Sequence, residues 1–386
     1  MNGKEQQSLE HELRATVRKY ALKHIQPFAA EDDELQRFRM DVYHGLGELG
    51  LCGMMNSSEF GGAELNCYLF SAVLEELAKY SVSYAVTLSV SAMVQAIIEN
   101  FGTHEQKKLY LPKLISGEEI GAFALSESHA GSDPSNIKLT AKEDADGYSL
   151  QGHKMWITSG GIASTYIVFA KTFSKEQKSP LTAFIVEKNT PNFSFGKLEQ
   201  KMGWKASPTR ELIFNQCRIA KKQILAHPGD GQKIALSALH RGRVTIGAIA
   251  LGLADAALEK AITYTLERQQ FGQSIYDFQG LQFMLAEDAT ELEASRSLVY
   301  RAASMFDDGT ITPAMSSMAK LKASDVAMQV TTNAVQAHGG VGYTKEYDVE
   351  RYMRDAKVLQ IVEGTNQIQK VVIGRELKKK FQTKVP

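Results

Sequence analysis

The periodicity of apolar residues changes twice along this chain, and no other feature limits its architecture as much. From about Ser8 to Leu114 apolar side chains recur at helical spacing, with breaks at Gly45–Gly53 and at Phe60-Gly61-Gly62-Ala63, where glycines permit turns. Between about Gly121 and Leu225 the pattern becomes short runs rich in β-branched and aromatic residues. These are Tyr148-Ser-Leu-Gln-Gly-His-Lys-Met-Trp-Ile, Tyr166-Ile-Val-Phe-Ala and Leu181-Thr-Ala-Phe-Ile-Val, bounded by Gly, Ser, Asn and Pro. After Pro228-Gly229 long helical patterns return. The first runs from about Lys233 to Gln270 with Gly272 as a left-handed C-cap, and the second from Gln279 to Phe306, closed by Asp307-Asp308-Gly309. A third begins near Pro313 and ends at Gly339-Gly340, and a last one follows Gly364. Short strands without intervening helices predict a small antiparallel barrel or sandwich. The order helices, strands, helices, with no internal repeat, predicts an α+β fold and disfavours a doubly wound sheet. The expected domains are residues 1–119, 120–225 and 226–386.

Three such units need a substantial core, and 386 residues with 44% hydrophobic content supply one without disulfides or metals. Lys plus Arg and Asp plus Glu number 44 each, so the whole-molecule field favours neither nucleic acid nor an anionic membrane surface. Cys52, Cys67 and Cys217 are scattered and lack the close pairing of a zinc site or redox dithiol, so they read as reduced thiols. The nine histidines form no ligand set, so no metal site is expected. The N-terminus moves directly into an amphipathic pattern (Leu9, Leu13, Val17), so no signal peptide is expected. The most apolar stretch, Tyr84 to Ile98, is shorter than a membrane span and reads as a buried helix. These features predict a chain of the cytoplasm or another reducing, aqueous compartment.

Three segments carry candidate chemistry. Phe123-Ala-Leu-Ser-Glu-Ser-His-Ala-Gly-Ser-Asp133 joins the first helices to the first strands with small residues, hydroxyls and a glycine, suited to binding an anion or the polar edge of a heteroaromatic ring. Read from composition alone, a linker with helix-capping serines is the more ordinary explanation. Lys154-Met-Trp-Ile-Thr-Ser-Gly-Gly161 offers an aromatic surface beside a hydroxyl, and Trp156 is suited either to a flat cofactor or to the core. Val358-Leu-Gln-Ile-Val-Glu-Gly-Thr-Asn-Gln-Ile-Gln369 sets a carboxylate between an apolar run and a turn that Thr365 or Asn366 can cap. Burial would raise the pKa of Glu363 toward the range of a general base, whereas an isolated E-G-T is more often an exposed turn. The patterns G-x-G-x-x-G, G-K-[ST], H-E-x-x-H, G-x-S-x-G and C-x-x-C are absent.

Taken together and in this order, the three segments resemble the acyl-CoA dehydrogenase family from about Ser8 to Lys378. Further matches are Glu267-Arg-Gln-Gln-Phe-Gly272, Asp277-Phe-Gln279, Gln336-Ala-His-Gly-Gly340 and Tyr352-Met-Arg-Asp355. The resemblance implies an N-terminal helical domain, a middle antiparallel β-domain and a C-terminal four-helix bundle, with FAD between the last two. It implies that Phe123, Leu125, Ser126, Gly131 and Ser132 line the flavin and thioester, with Trp156, Ile157 and Thr158 against the isoalloxazine. Arg268, Phe271, Gln279, Gln336, Gly339 and Gly340 match positions that hold FAD across a subunit contact in a homotetramer, a dimer of dimers. Thr365 and Gln367 match further cofactor contacts. Ser132, Gly364 and the tetrad His240, Arg241, Gly242 and Arg243 match substrate positions.

The resemblance also implies the chemistry. Glu363 matches the catalytic base, which removes the α-proton of an acyl thioester while the flavin accepts hydride from the β-carbon. Some members carry the base at the position of Gly242, where glycine cannot accept a proton. Arg243 matches an arginine that orders the site. The thioester oxygen is expected to accept hydrogen bonds from the base residue's own N–H and a flavin ribityl hydroxyl, stabilising the enolate. Electrons are expected to leave through an electron-transfer flavoprotein. Val362 stands where the family often has tyrosine, His240 where it often has aspartate, and Ser128 and His129 replace more usual residues. Tyr84-Ala85-Val86 lacks the arginine of glutaryl-type enzymes. A short- or medium-chain acyl-CoA, straight or branched, is therefore expected, as in fatty acid or amino acid catabolism. The extra positive charge at His240 and Arg241, together with Val362, leaves open an acyl group on a carrier protein in specialised metabolism, and a non-redox flavin-binding lyase or scaffold is a third reading.

Overall fold

A computed structural model of the chain describes residues 3–173 and 180–382. The outermost residues of the expected first and last domains, 1–2 and 383–386, lie outside that range. Six helices come first: α1 (Gly3–His24), α2 (Ala29–Glu34), α3 (Met40–Glu48), α4 (Cys67–Ala78), α5 (Val82–Phe101) and α6 (His104–Ile115). Asn66 caps α4 by accepting from the Leu69 amide, and Thr103 with Gln106 forms a capping box on α6. α5 is long and apolar enough to cross a membrane by length and composition, yet it is packed inside the protein against α4, α6 and α7. The three cysteines are buried and free.

Not every glycine in this region is a turn. Gly45 and Gly47 lie inside α3, where the absence of Cβ admits the Tyr20 hydroxyl and the Ser116 carbonyl against the helix. The expected break therefore begins only after Glu48, and Gly50 (φ 73°) takes the left-handed conformation there.

The middle of the chain forms a seven-stranded sheet: β1 (Gly121–Ala124), β2 (Thr140–Glu143), β3 (Gly147–Thr158), β4 (Thr165–Phe173), β5 (Leu181–Glu187), β6 (Phe193–Leu198) and β7 (Thr209–Ala220). Most pairings are antiparallel, but β4 runs parallel to both β1 and β2. A register shift between Lys154 and Ile157 in the β3–β7 pair sets two β3 residues opposite one on β7, a bulge that turns Trp156 out of the sheet.

The remaining chain is a helical bundle of α7 (Gly231–Glu267), α8 (Gln279–Asp307), α9 (Pro313–His338), α10 (Val349–Leu359) and α11 (Asn366–Gln382). α9 packs on α7, α8, α10 and α11. α7 stops at Glu267, short of the expected end, because a hairpin follows: β8 (Gln269–Gln270) and β9 (Gln273–Ser274). Phe271 (φ 52°) and Gly272 (φ 81°) form its two-residue turn, so Gly272 is a hairpin glycine and not the helix cap expected.

α10 joins all three layers. Arg354 donates to Asp33 at the end of α2 (2.8 Å) and to the Met202 carbonyl of the β-layer (2.9 Å), while Asp355 accepts from the Trp204 amide (2.6 Å). Burial pushes the Asp355 carboxyl up to about 6.

Candidate active site

Glu363 ends the turn between α10 and α11 in a left-handed conformation (φ 53°), followed by Gly364 at φ 86°. A non-glycine residue there costs about 1–2 kcal/mol, so its surroundings must hold it. Gln369 donates its side-chain amide to the carbonyls of Glu363 (3.0 Å) and Gly364 (2.7 Å), and Lys320 from α9 donates to the Gly364 carbonyl (3.1 Å). Thr365 caps α11 through the Ile368 amide, whereas the Asn366 side chain turns inward to Ser324, Asp325 and Lys320.

The carboxyl of Glu363 reaches α7. A Cβ at Gly242 would stand 2.8 Å from Glu363 Oε2 and 2.9 Å from the end of Met93, so the glycine leaves the space the carboxyl occupies. Glu363 keeps partial exposure as a residue, but its Oε2 is sealed from solvent and has no hydrogen-bond partner, and the same holds for Arg243 Nε. Among the described residues, the backbone N–H of Glu363 also has no acceptor. Burial pushes the Glu363 pKa up to about 7, with the positive charges of Arg243 and Lys320 opposing. A sealed carboxyl whose pKa lies near neutrality is suited to act as a general base.

The other tetrad residues diverge. Arg243 donates to Ser317 (3.3 Å) and faces Glu363. Arg241 is buried and donates to the Ala92 carbonyl of α5, so its charge is committed to that helix. His240 pairs with Ser316 (3.2 Å), its pKa lowered by burial and by Arg243.

A second group of expected site residues lies on the sheet. Trp156 sits at the bulge with φ 56° and is 53% exposed, next to buried Ile157 and half-buried Thr158. Facing this strand is the Leu125–Ser132 stretch, tied to it where the Met155 amide donates to the Ser126 carbonyl (2.9 Å). Phe123 packs its ring on Phe169, and Gly131 and Ser132 are exposed, with open space where a Gly131 side chain would be. A buried knot holds the stretch in place. Glu127 accepts from Lys154 Nζ (2.9 Å) and from the Lys138 and Leu139 amides, and Lys154 also donates to the Leu125 carbonyl (2.9 Å). An outward indole held in a strained backbone beside hydroxyls and open amides fits a flat heteroaromatic ring such as that of FAD.

The remaining expected cofactor positions are on the surface, and one of them, Gln367, stands four residues from Glu363 at the start of α11. Glu267, next to Arg268, is ~38 Å from Gly242 along α7 at 1.5 Å per residue. Arg268, Phe271 (92% exposed), Gln279, Gln336, Gly339, Gly340 and Gln367 are all exposed. Residues that sequence reasoning missed are Met93, Lys320, Gln369, Glu127 and Lys154. The last three stood inside quoted motifs without a role, and Met93 and Lys320 carry no local signal.

With this geometry in view, comparisons with known proteins give one answer. The family description "Acyl-CoA dehydrogenase, N-terminal domain" matches residues 7–118, the middle domain residues 122–217, and the C-terminal domain residues 229–378. The short-chain specific acyl-CoA dehydrogenase of Clostridium acetobutylicum is 42% identical over 366 residues, 95% of this chain and 97% of that protein. Butyryl-CoA dehydrogenase of Megasphaera elsdenii superposes with a TM-score of 0.93 at 40% identity, covering 96% of this chain and 98% of that one. A chain in a structure of the electron transferring flavoprotein of Acidaminococcus fermentans gives a TM-score of 0.93 at 43% identity, covering 96% and 97%. Matched over its three layers in order and over nearly its whole length, the chain belongs to the acyl-CoA dehydrogenase family, whose members are FAD-dependent oxidoreductases.

Proposed function

We propose that this chain oxidises a short-chain acyl-CoA to the trans-2-enoyl thioester, with Glu363 as base. The observation that carries the proposal is the sealed, unpartnered Glu363 Oε2 against Gly242, in a turn held from α9 and α11. Bound FAD supplies the hydride acceptor. Trp156, Ile157 and Thr158 would carry its ring, with Ser126, Gly131 and Ser132 at its polar edge. The Glu363 carboxylate takes the α-proton, its own backbone N–H is available to the thioester oxygen, and the Arg243 charge favours the ionised form of the carboxyl against its burial.

The residues behind the base on this side belong to α5. Met93 meets the Gly242–Glu363 contact, and one turn earlier on α5 the Ser89 hydroxyl bonds Thr245 of α7 (2.8 Å), closing the seam between the helices. The likeness to short-chain and butyryl-CoA enzymes supports a short acyl chain. The carrier-protein reading rests on His240, Arg241 and Val362, and of these Arg241 is committed to the Ala92 carbonyl. A lyase or scaffold would leave the poised carboxyl without a task. The exposed end of α7 with Phe271, far from its own base, suits completion of a neighbouring protomer's flavin site and so a homotetramer. Electrons pass to an electron-transfer flavoprotein, a partner supported by the A. fermentans likeness. The compartment is a reducing, aqueous one.

The test is anaerobic addition of straight and branched acyl-CoAs of four to eight carbons to the yellow holoprotein. Bleaching is expected to be fastest at the short end and to fall at least ~10²-fold in Glu363→Gln. No bleaching with any member overturns the assignment, and faster turnover of the same acyl group on a carrier protein transfers it to that substrate.

A further inference from the structure

We propose that Lys320 is a positioning residue for this reaction, its buried ammonium fixing the Glu363–Gly364 turn and keeping a positive charge beside the base. The inference deepens the reading of Glu363 as base and rests on it.

Lys320 is fully buried on α9. Lysine is almost never wholly buried unless paired with an opposite charge, yet among the described residues no carboxylate lies within ion-pair distance of its Nζ. Its acceptors are the Gly364 carbonyl (3.1 Å) and Asn366 Oδ1 (2.7 Å), both belonging to the turn that carries the base. Asn366 in turn donates to Asp325 (2.7 Å) and Ser324 (3.0 Å), so the cation is fitted to the turn through a connected polar network. Gln369 already holds the Glu363 and Gly364 carbonyls with a neutral amide. Geometry alone could be served by a second neutral donor, so the use of a buried cation requires a different reason.

That reason is electrostatic. The charged groups that act on Glu363 are Arg243 from α7 and Lys320 from α9, while α5 contributes the uncharged Met93 and α11 the amide of Gln369. Those that act on Lys320 are Glu363, Asp325 and Arg243. Burial drives the Lys320 ammonium down to about 7, with Glu363 and Asp325 opposing, so the cation persists chiefly when the carboxylate does. The two groups favour each other's charged forms and together let a sealed carboxylate stay ionised near neutral pH. An opposite charge within about 4–6 Å typically moves a carboxyl by about one to three pH units.

The experiment is a titration of the Glu363 carboxyl by infrared difference spectroscopy, on apoprotein and holoprotein, with Glu363→Gln assigning the band. It is accompanied by the pH profile of flavin reduction. Lys320→Met is expected to move the Glu363 midpoint up by about one pH unit and to lower the reduction rate ~10-fold below the midpoint, with recovery at high pH. Lys320→Arg is expected to restore the midpoint, and Gln369→Leu, which loosens the same carbonyls without a charge change, to leave it in place. Should Lys320→Met not fold, Lys320→Gln retains a donor for Gly364 and is expected to show the same movement. An unmoved midpoint, or a rate loss equal at every pH, overturns the proposal. The infrared titration does not require thioester oxidation, so its failure is separable from failure of the dehydrogenase reading.

Discussion

Replacing Glu363 with glutamine should stabilise the fold, increasingly so as pH rises. The Glu363 carboxyl has an ordinary pKa of 4.5 and is raised by burial to about 7 in the folded chain. A raised carboxyl binds its proton more tightly when folded, so it costs nothing at low pH, where both states are protonated. The cost grows as pH climbs from the unfolded value to the folded one. At 1.36 kcal/mol per pH unit the full cost is about 3 kcal/mol, and about 2.5 kcal/mol of it develops between pH 5 and pH 8. With an unfolding entropy of roughly 2.1 cal/mol/K per residue, a chain of 386 residues converts this to about 3 °C. Differential scanning of wild type and Glu363→Gln across that range should show the Tm gap opening in favour of the variant. A gap that is constant with pH, or that closes, would refute the view that this carboxylate is held away from water.

Two further outcomes follow from the geometry. Gly242→Ala introduces a methyl within 3 Å of both Glu363 Oε2 and Met93, and a displaced base should lower the anaerobic flavin reduction rate by about 10², as stopped-flow absorbance would show. Trp156→Ala removes an exposed indole with little core beneath it, so thermal stability of the apoprotein should hardly change. Loss of a stacking surface worth about 1 kcal/mol should raise the FAD dissociation constant several-fold, measured by fluorescence of released flavin.

The parts of this protein legible in its sequence were those encoded locally. Helical and strand periodicity announced the three layers, and the E-G-T turn with Gly242 pointed to the base through family likeness. What escaped depended on contacts between distant residues. Lys320 reads as one more surface lysine on α9 until the fold brings it to Gly364, and Met93 reads as core until α5 is laid on α7. Glycine misled because it serves two ends: Gly45 and Gly47 admit neighbouring atoms within a helix, and Gly272 turns a hairpin where a helix cap was expected. The parallel neighbours of β4 were hidden because alternation along a strand reports which faces are buried and says nothing of direction. α10 is too short to stand out by periodicity, although its arginine and aspartate lie in the Tyr352-Met-Arg-Asp355 match.

That short helix also acts as a keystone. Because Arg354 and Asp355 grip the first helices and the sheet at once, and Glu363 follows eight residues after Asp355, the span between indole wall and carboxyl is measured from a shared abutment. Any tilt of the sheet would lean first on α10, and the base would shift in step with the ring it must face.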